Sequence, residues 1–155
     1  MTRRLSLFGA TGSVGQSTLD LIRRDGEAWE VGVLTANSDV AELARLAKEF
    51  RPDVAVIADE ARYADLADAL AGTGIEAAAG ADALVAAAQL PTDLVMAAIV
   101  GCAGLAPTMA ALEAGTPVAL ANKESLVSAG ELMTAAARAS GAPILPVDSE
   151  HNAIF

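Results

Sequence analysis

The sequence predicts an α/β fold: a doubly wound, mostly parallel sheet with helices on both faces. Three observations predict it. Short apolar runs of strand length alternate with helical patterns along the 155 residues, and such alternation calls for parallel strands joined by crossover helices. A glycine turn, Gly9-Ala10-Thr11-Gly12-Ser13-Val14-Gly15, joins the first apolar run to the first helical pattern. The hydrophobic content is 54%, yet only 3% of residues are aromatic. Alanine supplies much of the rest, which suits helices packed closely on a sheet better than a core built on large rings.

The length fits one domain able to bury a sizeable core. A formal net charge of -10 argues against a nucleic-acid partner, which would require a face rich in lysine and arginine. No apolar tract is long and unbroken enough to span a bilayer, so no membrane partner is expected. Cys102 is the single cysteine. An intramolecular disulfide is therefore impossible, and a reducing, cytoplasmic setting is the simpler expectation. Arg3 and Arg4 precede only a short apolar run that leads straight into the glycine turn, which reads as a strand rather than a signal peptide.

The elements follow in order. Leu5-Ser6-Leu7-Phe8 reads as the first strand, and Ser17 to Arg24 has helical periodicity. Between them each glycine has a distinct physical task. Gly9 turns the chain out of the strand, Gly12 leaves room for a pyrophosphate against the backbone, and Gly15 brings the helix close to the sheet. Free N–H groups near Ser13 and Val14 then face the phosphates, aided by the helix dipole. The spacing GxxGxxG, after a strand and before a helix, marks a Rossmann-like dinucleotide site.

Trp29 to Thr35 reads as a second strand, followed by the turn Ala36-Asn37-Ser38-Asp39. Ser38 or Asp39 is a plausible N-cap for an amphipathic helix from Val40 to Phe50. Pro52 ends that helix, and Asp53 to Ile57 is a third strand. Asp59 to Ala71 is helical, Gly72-Thr73-Gly74 breaks it, and Ile75 to Ala79 is a short edge strand. An alanine-rich helix from Gly80 to Gln89 stops before Pro91. Asp93 to Ile99 is a core strand feeding the loop Val100-Gly101-Cys102-Ala103-Gly104. Ala106 to Ala114 is a helix closed by Gly115. Pro117 to Ala121 is a strand, Lys123 to Ser140 the longest helix, and Pro143 to Val147 the last strand.

In such a sheet ligands bind outside the carboxyl ends of the strands, so four loops and the chain's end hold the candidate chemistry. The glycine turn is the first loop. The second carries Asn37 and Ser38 where an NAD site usually has a carboxylate gripping the ribose hydroxyls. Without that acid a 2′-phosphate is tolerated, so NADP is allowed, unless Asp39 turns inward instead of capping the helix. The third loop has glycines and small residues that admit a nicotinamide or ribose, and its Cys102 reads as a loop or buried thiol rather than a nucleophile. The fourth is Asn122-Lys123-Glu124-Ser125. Asn122 suits a helix cap, whereas a cation at Lys123 opposes the helix dipole and so points to a function. After the last strand, Asp148 and Glu150 stand two apart. In an extended segment both carboxylates share one side and suit Mg²⁺ or Mn²⁺. An ordinary polar loop is the competing reading. His151 alone supports neither a base nor a ligand.

Taken together, these segments resemble the 1-deoxy-D-xylulose 5-phosphate reductoisomerase family. The resemblance rests on Gly9 to Gly15, Met96-Ala97-Ala98-Ile99-Val100-Gly101, Leu120-Ala121-Asn122-Lys123-Glu124-Ser125-Leu126-Val127, and Pro146-Val147-Asp148-Ser149-Glu150-His151-Asn152-Ala153-Ile154-Phe155. It implies isomerisation of 1-deoxy-D-xylulose 5-phosphate and reduction by NADPH to 2-C-methyl-D-erythritol 4-phosphate, in non-mevalonate isoprenoid biosynthesis. It also implies a divalent metal (Mg²⁺, Mn²⁺ or Co²⁺), a small phosphorylated sugar substrate and a homodimer. By the same resemblance Thr11, Gly12, Ser13 and Val14 hold the cofactor phosphates, and Asn37, Asn122 and Glu124 contact the cofactor. Lys123, Ser149 and Glu150 meet the substrate, Asp148 and Glu150 bind the metal, and Lys123 and Glu150 are the catalytic pair. Ser38 stands where many relatives carry a basic residue.

Residues 1–155 thus read as an NADPH-binding Rossmann domain ending in the first metal ligands. The family's third metal carboxylate, substrate phosphate site, lid and C-terminal helical domain are not in this sequence. The isolated chain is expected to fold, to bind NADPH and to be inactive. Other dehydrogenase classes fit less well: Cys102 lacks the context of a semialdehyde dehydrogenase, and Tyr63, the single tyrosine, has no lysine four residues on. The remaining alternative is a non-catalytic NAD(P)-binding module, in which Asp148 and Glu150 have no role.

Overall fold

The computed structural model describes residues 1–147. Seven strands form one sheet: β1 (Arg3–Phe8), β2 (Trp29–Ala36), β3 (Val54–Ile57), β4 (Glu76–Ala79), β5 (Leu94–Ala97), β6 (Val118–Leu120) and β7 (Ile144–Pro146). Six helices connect them: α1 (Ser13–Arg24), α2 (Val40–Phe50), α3 (Tyr63–Ala69), α4 (Ala81–Ala88), α5 (Leu105–Glu113) and α6 (Lys123–Ser140). The spatial order is β4-β3-β2-β1-β5-β6-β7, and every pair of neighbours is parallel. The expectation of a mostly parallel sheet thus resolves to an entirely parallel one among the described residues. The chain reverses direction of travel across the sheet between β1 and β5. That reversal opens the crevice in which doubly wound folds bind ligands.

Two apolar layers hold the helices to the sheet. On one face Leu5, Leu7, Leu34 and Ile57 pack with Leu19 and Ile22 of α1, Leu43 and Leu46 of α2 and Leu66 of α3. On the other face Phe8, Val33, Val56, Val95 and Leu120 pack with Leu84 of α4, Leu112 of α5 and Met133 of α6. Alternate residues of one strand therefore serve opposite layers, as the pleat dictates. The strands read as continuous apolar runs because both faces are covered.

Most differences from the expected elements lie at their ends. α1 starts at Ser13, not Ser17, because the glycine turn itself enters the first helical turn. The stretch expected as one helix from Asp59 divides into a 3-10 turn, Glu60–Arg62, and α3. Asp59 starts that turn by accepting a hydrogen bond from the Ala61 amide at 3.0 Å. α6 carries a kink at Ala129, with φ -145°.

Candidate functional site

Two close approaches build the glycine turn. Gly9 has φ +93°, and a Cβ there would stand 2.6 Å from the Ala98 carbonyl oxygen of the loop after β5. A Cβ at Gly15 would stand 2.2 Å from the Gly9 carbonyl oxygen, so α1 reaches the sheet only because residue 15 has no side chain. Gly12 differs: a Cβ there would meet its nearest atom at 3.7 Å, an ordinary contact. Its missing side chain serves the open cleft rather than the packing. Thr35, which sequence reasoning passed over, fixes the turn from below. Its hydroxyl accepts from the Gly9 amide at 3.0 Å, and its carbonyl accepts from the Ala10 amide at 2.8 Å. Thr35 is 1% exposed at the end of a core strand, and a buried hydroxyl needs such a partner.

α1 begins without a side-chain cap and without an acidic residue in its first turn. Its first backbone bond runs from the Gln16 amide to the Gly12 carbonyl at 2.9 Å. The amides of Ser13, Val14 and Gly15 are therefore the orphan donors of the helix start, in a positive dipole field that attracts an anion. The first turn is latched sideways: Gln16 donates to Glu42 of α2 at 3.0 Å. Hydrogen bonds from Arg45 and from Gln16 hold the Glu42 carboxyl down at about 2.

Over this helix start lies a cleft of about 310 Å³, whose walls include Thr11, Gly12, Asn37, Ile99, Val100 and Ala103. None of the described lining residues is charged. Asp39 does not turn inward; it caps α2 by accepting from the Glu42 amide at 3.1 Å. The end of β2 thus offers Asn37 to the cleft and no carboxylate, as an NADP site allows. Cys102 is exposed on a 3-10 turn, Cys102–Gly104, consistent with a loop thiol.

α6 begins differently. Asn122 is 5% exposed, and its side-chain oxygen accepts from the Ser125 amide at 3.3 Å. Its amide nitrogen donates to the carbonyls of Ile99 and Gly101, both at 2.6 Å. The start of α6 is thereby tied to the wall of the cleft. Lys123 and Glu124 follow, exposed, on the first turn. The structure brings Thr11, Gly12 and Asn37 into one cleft; Ser13 and Val14 follow Gly12 at the start of α1, and Asn122 hydrogen-bonds Ile99 of the cleft wall. Asp148, Ser149 and Glu150 lie outside the described residues. Among the described residues no group of three His, Cys, Asp or Glu is placed to hold a metal ion. No helix there is long and apolar enough to cross a membrane.

Comparison with known proteins decides the family. Residues 5–130 match the family model for 1-deoxy-D-xylulose 5-phosphate reductoisomerase. This chain belongs to that family. A reductoisomerase from Ruegeria sp. (strain TM1040) is 58% identical over 99% of this chain, which spans 39% of that relative's length. The Zymomonas mobilis reductoisomerase, solved in complex with NADPH, superposes with a TM-score of 0.97 at 59% identity. That superposition covers 100% of this chain and 41% of the Zymomonas chain. A reductoisomerase solved with NADPH, fosmidomycin and magnesium gives a TM-score of 0.93 at 44% identity over 98% of this chain and 38% of its own. The chain thus spans about two-fifths of the length of the reductoisomerases it matches.

Proposed function

We propose that this chain is the NADPH-binding part of an enzyme that isomerises 1-deoxy-D-xylulose 5-phosphate and reduces it to 2-C-methyl-D-erythritol 4-phosphate. The observation that carries the reading is the cleft itself. An uncapped helix start, a glycine with open space above it and a β2 end without a carboxylate form one wall. A relative 59% identical over the whole chain has been solved with NADPH.

In this reading the Ser13 and Val14 amides, with Thr11 and Gly12, hold the pyrophosphate, and Asn37 takes the adenosine ribose. Asn122 and Glu124 serve the nicotinamide end. Lys123 and Ser149 hold the substrate, and Asp148 and Glu150 bring hard carboxylate oxygens that suit Mg²⁺, Mn²⁺ or Co²⁺. When bound, NADPH supplies the hydride, and the metal supplies Lewis acidity to the substrate's carbonyl and hydroxyl oxygens. Lys123 brings a cation to the phosphorylated substrate and Glu150 a carboxylate to the reacting end, which makes them the catalytic pair. Cytoplasmic location and homodimeric assembly accompany the reading through the family; light scattering tests the second.

Calorimetric titration of this chain with NADPH and with NADH, with and without Mg²⁺, tests the cofactor half. Selective binding of NADPH is expected, and no binding of either nucleotide contradicts it. Replacing Asp148 and Glu150 together by alanine tests the metal half in a full-length reductoisomerase carrying this sequence. NADPH affinity is expected to persist while metal-dependent turnover disappears. Unchanged turnover would contradict the metal-binding role of Asp148 and Glu150.

A further inference from the structure

We propose that Arg62 recognises the 2′-phosphate of NADPH and so sets the preference for NADPH over NADH. The inference rests on the NADPH reading above and names the residue that supplies its selectivity. The missing carboxylate after β2 removes a repulsion but adds no attraction. Asn37 and Ser38 are neutral, and a phosphate dianion needs a positive partner nearby. The surroundings sharpen that need, since Asp39, Asp59 and Glu60 all stand in the turns after β2 and β3.

The turn that carries Arg62 is fastened to the turn that carries Asn37. β3 is the neighbour of β2. After it, the Asp59 amide donates to the Asn37 carbonyl at 2.9 Å, and the Arg62 amide donates to the Asp59 carbonyl at 3.0 Å. The same segment brings Ala58 into the wall of the cleft with Asn37. The nearby carboxylates are turned to the backbone. Asp39 accepts from the Glu42 amide at 3.1 Å and Asp59 from the Ala61 amide at 3.0 Å, while Glu60 lies against Gly80 at the start of α4. The Arg62 side chain is 54% exposed and meets Asp65 at 3.6 Å, the longest ion pair among the described residues. So exposed a pair is weak and readily exchanged for a phosphate, which the guanidinium fork fits well.

The other cations are placed elsewhere. Arg4, Arg23, Arg24 and Arg45 are held by carboxylates at closer range. Arg3, Lys48, Arg51 and Arg138 stand where a strand begins or a helix ends, at the opposite edge of the sheet. Lys123 follows β6, three strands from β2.

Calorimetry of this chain and two variants, with NADPH and with NADH, tests the assignment. Arg62→Ala should weaken NADPH about tenfold and leave NADH unchanged. Arg62→Lys keeps the charge without the planar fork and should fall between. Melting temperature should hold in both variants, because an exposed ion pair contributes little. Wild-type NADPH affinity in Arg62→Ala would overturn the assignment. So would equal losses for the two nucleotides, since that pattern means damage to the part of the cleft they share. If the wild-type chain binds neither nucleotide, the cofactor reading itself fails and the assignment falls with it.

Discussion

The starts of α1 and α6 both follow a core strand, yet they are built to opposite ends. α1 is preceded by Gly12, with no side chain on its first amides. α6 is preceded by Asn122, whose side chain fills that position and reaches back to a neighbouring loop. The residue at the N-cap therefore decides between a seat for an outside anion and a joint within the protein. Both N-cap residues have extended backbone, and the side chain selects.

The most damaging way to break this contrast is Gly15→Ala. The added Cβ would overlap the Gly9 carbonyl, a backbone atom that cannot swing aside. A loss on the order of 3 kcal/mol is expected in urea unfolding, with NADPH binding lost alongside. Asn122→Ala converts the second helix start into an uncapped one and orphans two carbonyls. About 2 kcal/mol should be lost in the same measurement. Gly12→Asp makes the first start resemble the second, and its two effects oppose. The helix gains a cap and a favourable dipole contact of a few tenths of a kcal/mol. The new carboxylate repels the phosphates, and NADPH affinity should drop about tenfold or more by calorimetry. A variant that lost stability and affinity together would show Gly12 to be packing rather than cleft.

The smallest effect concerns the latch beside α1. Glu42 is held well below its usual 4.5, at about 2, by Arg45 and Gln16. A depressed carboxyl adds stability above the unfolded-state value and loses it as pH falls toward the folded one. Glu42→Gln should therefore melt slightly below wild type at pH 6, and the gap should close between pH 4.5 and 2. A gap that stayed constant with pH would mean that the Glu42 charge adds no stability through Arg45 and Gln16.

Legibility in the sequence follows the range of the interactions. α2 and α6 have the bounds expected because their caps, Asp39 and Asn122, and their terminators, Pro52 and Gly141, are local signals. Gly9 and Gly15 were legible as glycines that a turn and a close approach demand. The 3-10 turn before α3 was not, because one side-chain bond from Asp59 decides it. Thr35 and the back-reach of Asn122 were missed for a stronger reason. Each acts on a segment more than twenty residues away, and no periodicity records such a contact. Asn37 and Lys123 stood out by position and charge, whereas a role for Glu124 came from family resemblance, since a polar residue after a strand is common in any turn.

The strand order also sets when each part of the molecule can exist. β1 lies at the centre of the sheet, yet one of its two neighbours is close in sequence and the other is distant. Arg3 pairs with Trp29 on β2, whereas Leu5 pairs with Leu94 on β5. During synthesis at roughly 5–20 residues per second, the β1–β4 half is made seconds before β5 leaves the ribosome. Through that interval the central strand of the finished sheet is an open edge, with unpaired backbone groups between Leu5 and Phe8. Arg4 sits beside this edge, ion-paired to Glu30 and Asp53 within the half already made. A charge held there guards a nascent edge against pairing with another chain. The central position of β1 thus makes the nascent chain most open to aggregation at the strand that later anchors the glycine turn.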